Sequence, residues 1–294
     1  MLKLESLNLS HKPVLEDYLA RFPRESCDYS VANLYAWGKI YDNQIAFDDG
    51  NLILFNPKYS YICFPLGESI SVDYLVRLVK ETRQIMPLAE LILIPEDYLL
   101  SHPGIHDHFE VDDNRGWADY VHSVQRLAEL KGKKLAKKKN LISQYTRAYP
   151  DYRMIPITKD KAPMVIEFTK KWRRERDAEG PFLDSEFEAI LNTFEMWDDL
   201  PVEGLIVCHQ HSISAYSVFS PLTADMAAIH YEKFDPDMKG SAQLINWETA
   251  KYLQGKGISW INREQDLGIE GLRKAKMSYD PDHLIKFITS EFKS

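Results

Sequence analysis

Residues 226–265 read MAAIHYEKFDPDMKGSAQLINWETAKYLQGKGISWINREQ. MAAIHYEKFD, 226–235, is a strand, apolar and β-prone until the Asp-Pro pair interrupts it. SAQLINWETAKYLQGKG, 241–257, is a helix stopped by glycines, and ISWINREQ, 258–265, is a second strand. Strand, glycine turn, helix, strand is an α/β unit. The free N–H groups and the dipole at such a helix start favour an anion. Lys239, Gly240, Ser241 and Ala242 form the turn into that helix. Along the first strand, alternation sends His230 and Glu232 to one face and Tyr231 and Lys233 to the other. Glu232 is a candidate general base.

Upstream, RMIPI (153–157) is a strand leading into a helix with Met164, Val165, Phe168 and Trp172 inward. DSEFEAILNTFEMW (184–197) is a second helix, capped by Asp184 or Ser185. GLIVCHQHSISAYSVFSPL (204–222) is a hairpin turning near His209–His211. In the first half, 11–22 and 29–41 are helical, and Asp49-Gly50 is a hairpin turn. Residues 72–86 have helical spacing and 88–95 are a buried strand. HLIKFITSEF (283–292) reads as one more strand. The organisation is two α/β units, 1–150 and 151–294, the first ending in a basic linker helix over 131–149.

The 294 residues carry a net charge of −8, which disfavours nucleic acid over the surface at large. Residues 131–147 differ. Lys131, Lys133, Lys134, Lys137, Lys138, Lys139 and Arg147 stand there with no acid, a pattern suited to an anionic partner such as tRNA or to a solvated helix face. Lys138 and Lys139 are the expected phosphate contacts. No run of 18 apolar residues or signal peptide is present, and the three cysteines are scattered. A cytoplasmic protein without structural disulfides is expected. His209 and His211 lack further ligands at metal spacing, so no metal site is expected. No Walker A loop, GxSxG elbow or GxGxxG occurs, which speaks against a P-loop NTPase, an α/β-hydrolase and a dinucleotide dehydrogenase.

The stretch 226–265 resembles the core of the GNAT acyltransferases, whose glycine-rich loop holds a cofactor pyrophosphate. The resemblance makes Lys239, Gly240, Ser241 and Ala242 the expected ligand contacts; Gly240 and Ala242 fit that loop, and Asp237 places an acid where a base or amide is usual. YSVANLYAWGKIY (29–41), LKGKKLAKKKNLISQY (130–145) and NREQDLGIEGLRKAKMSYDP (262–281) together resemble the phosphatidylglycerol lysyltransferase C-terminal family, itself similar to the Fem aminoacyl-transferases. The resemblance implies an α/β (α+β) fold of two tandem GNAT-like units, each a mixed sheet flanked by helices. It implies an acyltransferase that moves an aminoacyl group from aminoacyl-tRNA to an amine or hydroxyl acceptor. Acyl-CoA-dependent N-acylation of a small amine, and a non-catalytic ligand- or RNA-binding module, are the alternatives. Acyl-CoA or aminoacyl-tRNA is the expected donor, and a small-molecule or peptide amine the expected acceptor.

Asn262, Arg263, Glu264 and Asp266 cluster where the last strand of this stretch ends, the usual ligand edge of α/β units. Arg273 and Lys276 share one helix face and could grip a phosphate or carboxylate. Glu264 or Asp266 is the expected base or ammonium partner; an ion-pair network pinning the loop is the plainer reading.

Overall fold

The computed structural model describes residues 2–175 and 181–293. The chain opens with β1 (Glu5–Ser6), α1 (Lys12–Arg21), α2 (Val31–Ala36) and α3 (Gly38–Tyr41). The hairpin β2 (Gln44–Asp48) and β3 (Asn51–Asn56) turns at Asp49-Gly50, both in the left-handed region, as a two-residue turn between twisted strands requires. Then come β4 (Tyr61–Cys63), α4 (Val72–Arg83), β5 (Glu90–Ile92), α5 (Glu96–Ser101), β6 (Phe109–Asp113) and β7 (Asp119–Ser123). The helices α6 (Val124–Glu129) and α7 (Lys133–Ala148) lead to β8 (Arg153–Pro156), α8 (Ala162–Glu175) and α9 (Pro181–Glu195). The hairpin β9 (Glu203–His209) and β10 (Ser212–Pro221), then β11 (Met226–Phe234), α10 (Ser241–Gly255), β12 (Trp260–Asn262), α11 (Glu270–Met277), β13 (His283–Ile285) and β14 (Ile288–Phe292) complete the order.

Two seven-stranded mixed sheets result, ordered β1-β2-β3-β4-β5-β14-β6 and β13-β7-β12-β11-β10-β9-β8. Each holds one parallel pair, β4 with β5 and β11 with β12. Two segments cross the sequence midpoint. β7 lies before residue 150 yet pairs with β12 and β13, and α6 and α7 pack with α10 over the second sheet. HLIKFITSEF, expected as one strand, is two: β13 stays in the second sheet, and β14 crosses to lie between β5 and β6 of the first. α9 starts at Pro181, ahead of both expected caps.

α4 buries Leu75, Leu78 and Val79 under the first sheet. A third core joins the sheets: Leu52 and Leu54 of β3, Leu34 of α2, Ala189 and Ile190 of α9, and Tyr216 and Val218 of β10. The interface between the units is thus a continuous apolar core, which fixes any side chains that meet across it.

Candidate active site between the units

β11 and β12 run parallel for three residue pairs, Met226 with Trp260 through Ala228 with Asn262, and then diverge. The wedge they open is lined from both sides. On β11 the register with β10 shifts between Val218 and Phe219, leaving His230 without a partner opposite. Such a bulge re-aims a side chain. His230 reaches toward α2: its Nε2 lies 2.8 Å from Ser220 Oγ, itself 3.1 Å from Ser30 Oγ. Its Nδ1 lies 2.9 Å from Glu264 Oε1. The expected alternation persists one step on, where Glu232 pairs with Arg263 and Lys233 reaches Glu186 and the Trp172 ring on the other face.

Beyond β12 the chain leaves the sheet. Glu264 adopts φ 59°, uncommon for a side-chain-bearing residue and a mark of a specially held position. Its turn is held by its own N–H donating to Asn262 Oδ1 (2.7 Å). Asn33 Nδ2 of α2 donates to Glu264 Oε1 at 2.8 Å. Both of these partners fall on Oε1.

Two further acids adjoin it, Asp119 buried and Asp28 half-buried. Asp119 Oδ2 accepts the Cys27 N–H at 2.7 Å and Asn262 Nδ2 at 2.8 Å. Gln265 Nε2 donates to Asp28 Oδ2 at 3.0 Å. Burial and the neighbouring Asp119 carboxylate push Asp28 up to about 7. Burial raises Asp119 to about 6, against the hydrogen bonds from Asn262 and Cys27. Burial and Asp119 also push the Cys27 thiol well up, so it stays a protonated thiol near neutral pH.

Cations close the other wall. Arg263 Nη2 donates to Glu232 Oε2 at 2.9 Å, its guanidinium lies 4.8 Å from the Tyr279 ring centroid, and its buried Nη1 has no partner among the described residues. Lys276 Nζ donates to the Arg263 carbonyl, and burial with the Arg263 charge lowers it to about 8. His122 on β7 is buried with neither ring nitrogen partnered among the described residues; burial, then Arg263 and Lys276, lower it to about 2, so it is neutral.

Asp266 has a different environment. It is fully buried and accepts from Tyr120 OH, Arg273 Nε (2.7 Å), Arg273 Nη2 (3.0 Å) and the Gly268 N–H (2.8 Å). Burial alone would raise it; Arg273, Tyr120 and Gly268 outweigh burial and hold it at about 2. A carboxylate so saturated is a poor proton acceptor and a good anchor for α11.

The glycine loop lies to one side. Gly240 has φ 95°, and a Cβ there would sit 2.3 Å from the Leu141 carbonyl oxygen, so α7 covers its backbone. The Asp237 N–H donates to Asp235 Oδ1 and the Ser241 N–H to the Met238 carbonyl, so two loop amides are already used. Ser241 is buried, Ala242 half-buried and Lys239 exposed. Tyr279, just beyond α11, lies under the Arg263 guanidinium. Lys138 joins the same corner, its Nζ 4.2 Å from the Tyr279 centroid and 2.7 Å from Ser278 Oγ, and burial lowers its pKa. Lys139 is exposed on α7. Lys131 and Lys134 pair with Glu129 and Asp280, so part of the basic segment is neutralised locally.

The structure thus gathers Glu232, Asn262, Arg263, Glu264, Asp266, Arg273 and Lys276. It adds Asp28, Ser30, Asn33, Asp119 and Ser220, which the sequence did not single out. One signal was available: Ser30 and Asn33 are polar residues three apart in an otherwise apolar helical stretch, which sets them on one face.

Residues 19–289 match the profile of the family described as phosphatidylglycerol lysyltransferase, C-terminal. No curated protein sequence matches. Among solved structures, a conserved protein of unknown function from Bacteroides thetaiotaomicron is similar over 100% of both chains, with 28% identity and a TM-score of 0.92. The L-PGS structure from Bacillus licheniformis is similar over 96% of this chain and 91% of its own, with 13% identity and a TM-score of 0.65. FemX is similar over 98% and 96%, with 9% identity and a TM-score of 0.62. The last two likenesses are of fold: two GNAT-like units in tandem. Among the described residues, no helix is long and apolar enough to cross a membrane.

Proposed function

The chain belongs to the phosphatidylglycerol lysyltransferase C-terminal family, and from that membership we propose that it transfers an aminoacyl group from aminoacyl-tRNA to an amine or hydroxyl acceptor. The observation that carries the reading is Glu264, held at a left-handed turn by Asn33 of one unit and His230 of the other. The acceptor nitrogen or oxygen attacks the ester carbonyl carbon while its proton passes to Glu264. The tetrahedral oxyanion, stabilised by the nearby Arg263 and Lys276 charges, then collapses. The carbon–oxygen bond to the tRNA ribose breaks, and Glu264 returns the proton to the leaving hydroxyl. His230 and Asn33 orient the carboxylate, Asp266 fixes α11 so that Lys276 keeps its place, and the Asp28–Asp119 pair receives the ammonium of the aminoacyl group. Lys138 and Lys139 contact tRNA phosphates.

The packing of α7 against Gly240 favours tRNA over coenzyme A as donor, because it covers the loop backbone that a pyrophosphate would need. A titration against bulk aminoacylated tRNA and against acetyl-CoA, at two salt concentrations, tests this. Salt-sensitive tRNA binding that is lost when Lys137, Lys138 and Lys139 become Glu, with no saturable CoA binding, is expected. Saturable CoA binding abolished by Gly240→Glu would overturn the donor assignment.

A further inference from the structure

On the first unit a cavity of about 460 Å³ opens over the segment joining β4 to α4. That size suits a small molecule. Its wall includes Arg24, Phe64, Glu68, Asp97, Tyr98 and His102. Two polar atoms in this wall are buried without a partner among the described residues: Tyr98 Oη and Arg24 Nε. Tyr98 is about nine-tenths buried (9% exposed), stacked on His102 at 4.1 Å and edge-on to Phe64 at 4.7 Å. Packing therefore fixes its ring with the hydroxyl unsatisfied. Arg24 is fixed too, with Nη2 donating to the Pro65 carbonyl at 3.2 Å and the guanidinium 5.6 Å from the Phe64 centroid. Buried donors are left unmade in native proteins mainly where something else completes them.

Both signs of charge face this cavity. Asp97 Oδ1 accepts the Tyr98 N–H at 2.9 Å, and Glu68 is exposed at the wall. A simple anion would meet two carboxylates, and a simple cation would meet Arg24. We infer that the cavity binds a small zwitterion: a carboxylate or phosphate group satisfies Arg24 and Tyr98, and an ammonium group satisfies Glu68 and Asp97, over the aromatic floor of Phe64. Neither Glu264 nor any of its partners lines the cavity, so this assignment stands or falls independently of aminoacyl transfer.

Calorimetric titration of the full chain with four probes tests it: glycine and phosphoethanolamine as zwitterions, inorganic phosphate as anion, ethanolamine as cation. At least one zwitterion is expected to bind saturably and at least tenfold more tightly than phosphate or ethanolamine. Glycine binding identifies a carboxylate ligand and phosphoethanolamine binding a phosphate ligand. Arg24→Gln should weaken that binding more than tenfold. Tyr98→Phe removes only the unsatisfied hydroxyl, so it should keep the melting temperature and weaken binding about fivefold. Equal binding of phosphate or ethanolamine, no saturable binding of any probe by folded protein, or affinity untouched by Tyr98→Phe would overturn the inference.

Discussion

The two units use one device twice and fill it with opposite chemistry. In each sheet a single parallel strand pair runs for three residues, and a residue in the left-handed region follows within two positions: Leu93 after β5, Glu264 after β12. In the first unit the residues after the strand are Leu93 and Ile94, both buried in apolar cores. In the second they are Arg263 and Glu264, set among Asn33, His230 and the Asp28–Asp119 pair. The loop before the helix is inverted in the same sense. After β4 it borders an open cavity; after β11 it is pressed under α7. The shared backbone geometry does not decide where chemistry resides. What decides it is which side chains the left-handed turn presents, and whether a neighbouring helix covers the loop.

Exchanging roles at the two turns gives the largest expected effects. Glu264→Gln should lower single-turnover aminoacyl transfer by about 100-fold or more, the usual share of a general base, while the melting temperature stays close to wild type. Leu93→Ala should do the reverse, costing about 2–4 kcal/mol of stability by leaving a cavity while transfer per folded molecule persists. A catalytic defect in Leu93→Ala without unfolding, or full activity in Glu264→Gln, would break the comparison. Asp266→Asn removes the charge that meets Arg273 and Tyr120 and should destabilise by about 2–4 kcal/mol in denaturant unfolding. Because the folded Asp266 is held at about 2, its contribution is present above the ordinary carboxylate range and is lost as pH falls through about 2.

Asp28 carries the opposite sign. Its folded value of about 7 lies above its unfolded one, so its contribution is favourable only at low pH and is lost as pH rises toward 7. Asp28→Asn should therefore raise stability by about 1–2 kcal/mol at pH 8, after discounting for its partial exposure, and change little near pH 4. Melting curves at the two pH values check this; equal shifts at both would show that Asp28 is not held against its ionisation. The smallest effect belongs to the rim. Lys134→Ala breaks an exposed pair with Asp280 and should change stability by less than about 0.5 kcal/mol.

Strand, turn and helix at 226–265 were legible because periodicity and glycine punctuation are local. So was the clustering at 262–276, where Asn262, Arg263, Glu264, Asp266, Arg273 and Lys276 are neighbours in sequence. Asp28, Asn33 and Asp119 were not legible, because what makes them part of the site is contact with Glu264, Asn262 and Gln265, residues more than a hundred positions away in the sequence. The bulge at His230 was hidden, since nothing in MAAIHYEKFD marks an extra residue, yet the alternation held: His230 and Glu232 face Glu264 and Arg263, and Tyr231 and Lys233 face α9. The placement of β14 was hidden as well: HLIKFITSEF has one continuous strand-like pattern, and nothing in it marks a change of sheet at Lys286–Phe287.

That late strand has a consequence for the order in which the protein can be made. β14 sits between β5 and β6, so until residues 288–292 have emerged from the ribosome the first sheet exists as two pieces with unsatisfied edges. The half of the chain synthesised first is the half finished last. Closing it joins segments about two hundred residues apart, a slow step by the measure of contact order. Through that interval β5 and β6 present open strand edges to every other chain nearby, and protecting them falls to whatever binds the nascent chain until β14 arrives.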